Sequence, residues 1–298
     1  MKFLLAIPAA IAMAGAQTPP AVETGTLPRT WITGGPNCLE VPDWQVHAYN
    51  ATFFILRESG CTNYEKPFLY LIFGKEKALL VDTGAGPVDT AAFTGKLIEK
   101  WSKTNQRASI PLLVVHTHAH GDHIAGDKDL AALPNVTLIP ATVEAQQKAF
   151  GIADWPGQAG SIDLGGRVID VLAIPGHQAA HAAYYDRATG ILLTGDHLYP
   201  GRLYINDFPA YAASTERLVR FTETRPVAHI LGNHIEQTST PFVDYKVGTV
   251  YQPEEHSLEL GRANLLELMA ALESLHGTPK RIFLRDITIY PLEPRAAK

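Results

Sequence analysis

The sequence predicts one continuous α/β unit, on three observations. Strand-like and helix-like segments alternate along the chain, no Pro/Gly/Ser-rich linker divides it, and chemically useful side chains recur where strand-like runs end. With 298 residues, 46% hydrophobic and 18% charged, the chain is long enough to bury a sizeable core. A formal charge of −5 disfavours nucleic acid, whose phosphates call for a basic face. A small molecule is the expected partner, and the sequence carries no signal for oligomeric state.

The first sixteen residues read as a leader. Met1-Lys2 gives a positive start, Phe3 to Met13 is apolar apart from Pro8, and Ala14-Gly15-Ala16 precedes Gln17. This is the pattern of a secretory signal peptide (1–16) with an A-x-A-like cleavage site. It predicts a single domain over 17–298 that is secreted or periplasmic. No later segment reaches the roughly 18 uninterrupted apolar residues of a membrane span, so no membrane anchor is expected. Export would let Cys38 and Cys61, the only cysteines, form a disulfide, the alternative being two free thiols. Closing that loop would stabilise the fold by roughly 3 kcal/mol on the chain-entropy model.

Between and beyond the cysteines, Trp44 to Tyr49 and Thr52 to Leu56 are strand-like. Phe68 to Phe73 and Ala78 to Val81 predict two strands, the second ending in Asp82-Thr83-Gly84. Val88 to Ser102 predicts a helix with Ala91, Leu97, Ile98 and Trp101 on its apolar face. Leu112 to Val115 is a short buried strand, Asp122 to Leu133 a helix closed by Pro134, and Val136 to Ile139 a strand. Ser161 to Ile174 predicts a hairpin turning at Gly165-Gly166, and Ala182 to Tyr185 with Ile191 to Thr194 another. A helix over Pro209 to Glu223, a strand over Val227 to Leu231 and a helix over Leu258 to His276 complete the pattern.

The strand ending at Val115 delivers His116-Thr117-His118-Ala119-His120-Gly121-Asp122-His123. Imidazole and carboxylate are ligands for divalent transition metals. In an extended segment i and i+2 point the same way, so His118 and His120 can grip one ion. Asp122 and His123 follow the turn at Gly121 and can face a second. Downstream, Pro175-Gly176-His177, Thr194-Gly195-Asp196 and Leu231-Gly232-Asn233-His234 each place a ligand-type residue behind a turn glycine.

With these motifs in this order, the chain resembles the metallo-β-lactamase superfamily from about Phe68 to His234. The His-x-His-x-Asp-His motif is His118 to His123, and Leu79-Leu80-Val81-Asp82-Thr83-Gly84 matches the strand entering the site. The resemblance implies a four-layer αββα sandwich with a two-metal site at one edge. It implies that His118, His120 and His177 hold one metal, that Asp122, His123 and His234 hold the other, and that Asp196 bridges them. Two zinc ions are expected, with iron or manganese as alternatives. A bridging hydroxide would attack a carbonyl carbon, with Asp122 holding it or shuttling its proton. Asp82 is the candidate acceptor for the outer nitrogen of a ligand histidine.

In this superfamily a carboxylate at the Asp196 position accompanies glyoxalase II-like thioesterases and lactonases rather than true β-lactamases. The expected activity is therefore cleavage of an ester, lactone or thioester. Activity on β-lactams, an iron-dependent persulfide dioxygenase-type oxidoreductase and a silent metal-binding protein are the alternatives. Tyr199 has the spacing of a lactonase tyrosine that holds the substrate carbonyl, and packing is its other reading. His181 is expected in a structural or supporting role, His197 should point away from the metals, and His116 is a candidate for supporting a ligand. The aromatic stretch from Tyr199 to Tyr211 suits either a pocket wall or core packing.

Overall fold

A computed structural model describes residues 21–293 except 36, 39 and 40. The leader segment lies outside the described residues. Along the chain, the first sheet comprises β1 (Trp44–Ala48), β2 (Phe53–Glu58), β3 (Phe68–Phe73), β4 (Ala78–Val81), β5 (Leu112–Val115) and β6 (Val136–Leu138), in that spatial order. β1 to β4 pair antiparallel; β4, β5 and β6 run parallel. Helix α1 (Thr90–Thr104) crosses from β4 to β5, and α2 (Gly121–Ile124) and α3 (Asp127–Ala131) lie between β5 and β6. After α4 (Val143–Phe150) come β7 (Gly160–Asp163), β8 (Val168–Ala173), β9 (Ala182–Asp186), β10 (Ile191–Gly195), β11 (Arg202–Ile205), α5 (Phe208–Phe221), β12 (His229–Gly232), β13 (Glu259–Leu260) and α6 (Arg262–Ser274). The second sheet has the order β13-β12-β10-β9-β8-β7. Strands β14 (Ile282–Phe283) and β15 (Thr288–Pro291) join β11 in a third, three-stranded sheet.

Three apolar clusters fix the layers. Every residue of β3 and β4 is buried, as a strand covered on both faces requires. Alternate residues then serve different layers. Tyr70, Ile72, Leu79 and Val81 face the second sheet, meeting Val171, Tyr184, Ile191 and Leu193. Leu69, Leu71, Phe73 and Leu80 face outward to Ala91 of α1 and Leu130 of α3. On the far side Leu172, Tyr185, Leu192 and Ile230 pack against Leu218 of α5 and Leu265, Leu268 and Leu272 of α6. The order helix, sheet, sheet, helix is the αββα sandwich. Truncating a fully buried leucine such as Leu80 would cost about 2–5 kcal/mol.

The helix starts follow local chemistry. Asp89 accepts the Ala92 N–H (2.8 Å) ahead of α1, and Asp207 the Ala210 N–H (3.0 Å) ahead of α5. Trp101 of α1 stacks on Phe73 at 4.2 Å between ring centres, anchoring the predicted apolar face.

Four elements depart from expectation. The helix expected over Asp122 to Leu133 is two short helices separated at Ala125-Gly126. There the backbone presses against β4's exit, where a Cβ on Gly126 would meet the Thr83 carbonyl at 2.7 Å. The helix expected from Leu258 starts at Arg262, because Glu259-Leu260 pair with Ile230-Leu231 as a sheet edge. The helix α4 and the third sheet were not expected. Most of the aromatic stretch proves to be core: Leu203, Ile205, Phe208 and Tyr211 are buried, whereas Tyr204 borders a cavity.

Candidate metal centre

All the predicted ligands sit at one edge of the sandwich. His118 and His120 follow β5, His177 follows β8, Asp196 follows β10 and His234 follows β12. These strands end on the same side, because β10 and β12 are parallel while β8 and β10 each lie antiparallel to β9. The turn before Asp196 needs glycine. Gly195 has φ +55°, and a Cβ there would come within 2.6 Å of His181 Nε2 and 2.7 Å of Thr117 Cβ.

The seven side chains form two clusters with one shared member, and in each the ligand atoms lie within 4.8 Å of one another. In the first, His120 Nδ1 is 2.9 Å from His118 Nε2 and 3.0 Å from His177 Nε2. Asp196 Oδ2 lies 3.8 and 3.5 Å from His118 Nε2 and His177 Nε2. In the second, Asp122 Oδ2 is 3.2 Å from both His123 Nε2 and His234 Nε2. Asp196 Oδ1 is 3.6 and 3.3 Å from the same two nitrogens. Each oxygen of Asp196 therefore addresses a different cluster.

The outer nitrogens establish which atoms face inward. His177 Nδ1 donates to the Tyr204 carbonyl (2.7 Å) and His234 Nδ1 to the Glu65 carbonyl (2.9 Å). His123 Nδ1 donates to Asp82 (3.1 Å). A carbonyl can only accept, so each neutral ring turns an unprotonated Nε2 toward the cluster. Such lone pairs crowded beside carboxylate oxygens repel unless a cation or proton lies among them. The buried His123 Nε2 and Asp196 Oδ1 have no hydrogen-bond partner. The residues therefore fit a pair of divalent ions.

The protonation tendencies agree. Burial, then the charge of His123, pushes His118 well below the ordinary histidine range, and burial likewise lowers His177. Burial also opposes charge on His123 and His234, but Asp122 and Asp196 outweigh it and raise both well above that range. Burial would raise Asp196; His234 and His123 reverse this and hold it well below the usual carboxylate range.

Asp82 occupies the supporting position expected of it. His116 does not: its nitrogens bond Asp127 Oδ1 (2.8 Å) and the Ile139 carbonyl (3.0 Å). His197 points into the helical layer, bonding Thr215 Oγ1 (3.0 Å) and stacking on Tyr211. His181 is fully buried 4.8 Å from the His118 ring, with neither nitrogen hydrogen-bonded.

The clusters open into a cavity of about 400 Å³ lined also by Tyr199, Tyr204, Asn206, Glu65, Glu236 and Leu292. Tyr199 packs edge-on to His234 at 5.6 Å. Its hydroxyl donates to the Arg202 carbonyl and lies 3.2 Å from Glu236. The single proton expected to reach a substrate carbonyl is thus committed within the protein. The carbonyls of Glu65 and Tyr204 were missed by sequence reasoning, since any residue supplies a carbonyl. Arg202, Glu236 and Asp244 were missed because they belong to no ligand motif.

A layered αββα scaffold with paired His/Asp clusters at one edge defines a candidate metal-dependent hydrolase. Residues 66–234 match the model of the metallo-beta-lactamase superfamily, and the chain belongs to that superfamily. The human acyl-coenzyme A thioesterase MBLAC2 is 25% identical over 64% of this chain and 81% of its own length. A hydroxyacylglutathione hydrolase from Rhizobium meliloti is 31% identical over 36% of this chain and 42% of its own. Among solved structures, a metallo-beta-lactamase from Hirschia baltica superposes with a TM-score of 0.53 at 16% identity, covering 78% of this chain and 98% of that one. The one from Pontibacter korlensis gives 0.51 at 17%, covering 77% and 99%. These two likenesses show the fold alone.

Proposed function

We propose that residues 17–298 form one exported, dinuclear zinc hydrolase that cleaves an ester, lactone or thioester bond. The observation that carries this reading is Asp196, whose two oxygens address two separate clusters. His118, His120 and His177 would hold the first ion, Asp122, His123 and His234 the second, and Asp196 would serve both. Two divalent ions so placed supply a hydroxide nucleophile at neutral pH and polarise the scissile carbonyl. Asp122, which also borders the cavity, is positioned to take up and return a proton at its carboxylate. Tyr199 shapes the wall against His234. Relatives named thioesterase and hydroxyacylglutathione hydrolase support acyl chemistry of this kind.

Export rests on the leader pattern and on the Cys38–Cys61 disulfide, with Cα atoms 5.3 Å apart. Among the described residues no helix is long and apolar enough to cross a membrane.

Zinc-loaded protein assayed on lactones, aryl esters, acyl thioesters and a chromogenic cephalosporin tests the reading. Turnover of an ester-type bond with the cephalosporin left intact is expected. Preferred cleavage of the cephalosporin, or oxygen consumption on a persulfide, overturns it.

A further inference from the structure

Beyond the metal clusters, the acidic residues that line the cavity are Glu65 and Glu236. Among the described residues no lysine or arginine lines it. Arg202 stands behind this wall with its side chain only 8% exposed. Its Nη2 donates to Glu236 Oε1 (2.6 Å), its Nη1 to Asp244 Oδ2 (2.5 Å) and the Tyr245 carbonyl (2.6 Å), and its Nε to the Tyr204 hydroxyl (2.9 Å). Four of the five guanidinium N–H groups are thereby used. Lys66 is likewise buried, donating to the Thr249 carbonyl (3.1 Å). Away from the metal clusters, a leaving arm bearing carboxylates or phosphates would meet acidic residues and, among the described residues, no lysine or arginine free to pair with it, an arrangement that selects against such partners.

From this we infer that the cavity selects acyl substrates whose leaving arm is uncharged, and that Arg202, locked by Glu236 and Asp244, is the specificity device. The inference rests on the hydrolase reading and narrows its substrate class. It sets this chain apart from relatives named for acyl-coenzyme A and hydroxyacylglutathione, both anionic at neutral pH.

The test compares kcat/KM of the zinc-loaded protein on two thioesters of the same acyl group, one of N-acetylcysteamine (uncharged) and one of glutathione (anionic). At least a tenfold preference for the uncharged arm is expected, and preference for glutathione overturns the inference. A Glu236→Gln, Asp244→Asn double variant frees the guanidinium and should narrow the ratio at least threefold, through KM for the glutathione thioester. An unchanged ratio in the folded variant overturns the role of the lock. Should that variant fail to fold, salt decides with the natural chain. Added salt should raise kcat/KM for the anionic thioester and leave the neutral one unchanged, and a fall contradicts the inference. If neither thioester is cleaved, the thioester reading fails separately, and calorimetric binding of the two free thiols reports the charge preference, tighter glutathione overturning it.

Discussion

Asp82 Oδ2 lies 3.1 Å from His123 Nδ1, and Asp82 adopts a left-handed backbone with φ +66°. A non-glycine residue rarely takes that conformation unless its surroundings over-determine it. Here they do. The carboxylate accepts the Thr117 N–H (2.7 Å), the Thr117 hydroxyl (2.8 Å) and the Asn233 amide (2.6 Å). One side chain thus ties β4's exit to β5's exit and to the turn before His234, while fixing the tautomer of His123.

Asp82→Asn keeps the shape and tolerates the backbone, but turns an N–H toward His123 or loses an acceptor for Thr117. Affinity at the second cluster should fall about 10- to 100-fold, with little change in the first. Competition with a chromophoric chelator measures both, and unaltered affinity at the second cluster would refute the orienting role.

Without an ion, His123 and His234 are held protonated by Asp122 and Asp196. Metal must displace that charge, so binding at this cluster releases protons and its affinity rises with pH. Calorimetry of metal binding in buffers of different ionisation enthalpy should report at least one proton released near pH 7. Binding without proton release contradicts the assignment.

Glu58, which belongs to neither His/Asp cluster, gives the protein a further pH dependence. It is fully buried, accepting the Ala85 N–H at 2.7 Å, and burial raises its pKa from 4.5 to about 7 against the opposing effect of that bond. The folded state therefore favours the protonated acid. Its contribution is complete below pH 4.5 and is lost as pH rises through about 7. On the order of 3–4 kcal/mol is involved, because each tenfold change in proton affinity is worth about 1.4 kcal/mol. Glu58→Gln should flatten the slope of unfolding free energy across this window, and an unchanged slope would assign the dependence elsewhere.

Much of this was legible in the sequence where local pattern and tertiary role agree. β3, β4 and β5 were bounded to the residue because each is an apolar, β-rich run closed by turn residues or by the ligand motif itself. The clustering of these seven His and Asp side chains was legible because a candidate metal centre demands particular side chains behind sharp turns. The third sheet was not, since Arg202–Ile205 and Thr288–Pro291 pair across a long intervening segment that carries α5, β12, β13, α6 and β14. Nor was α4, which runs through a polar Glu-Ala-Gln-Gln-Lys stretch and buries only Gln146 and Phe150. The acceptors at Glu65 and Tyr204 were invisible for a different reason: they are backbone atoms placed by register, and register is a tertiary property.

The most direct test of the two-ion centre is elemental analysis of the purified protein beside its Asp196→Ala variant. Close to two equivalents of metal, chiefly zinc, are expected in the natural chain. About one is expected in the variant, which should also lose most esterase or thioesterase activity. One equivalent of iron in the natural chain, or a variant that keeps both ions and its activity, would contradict the bridging role of Asp196 and the hydrolase built on it.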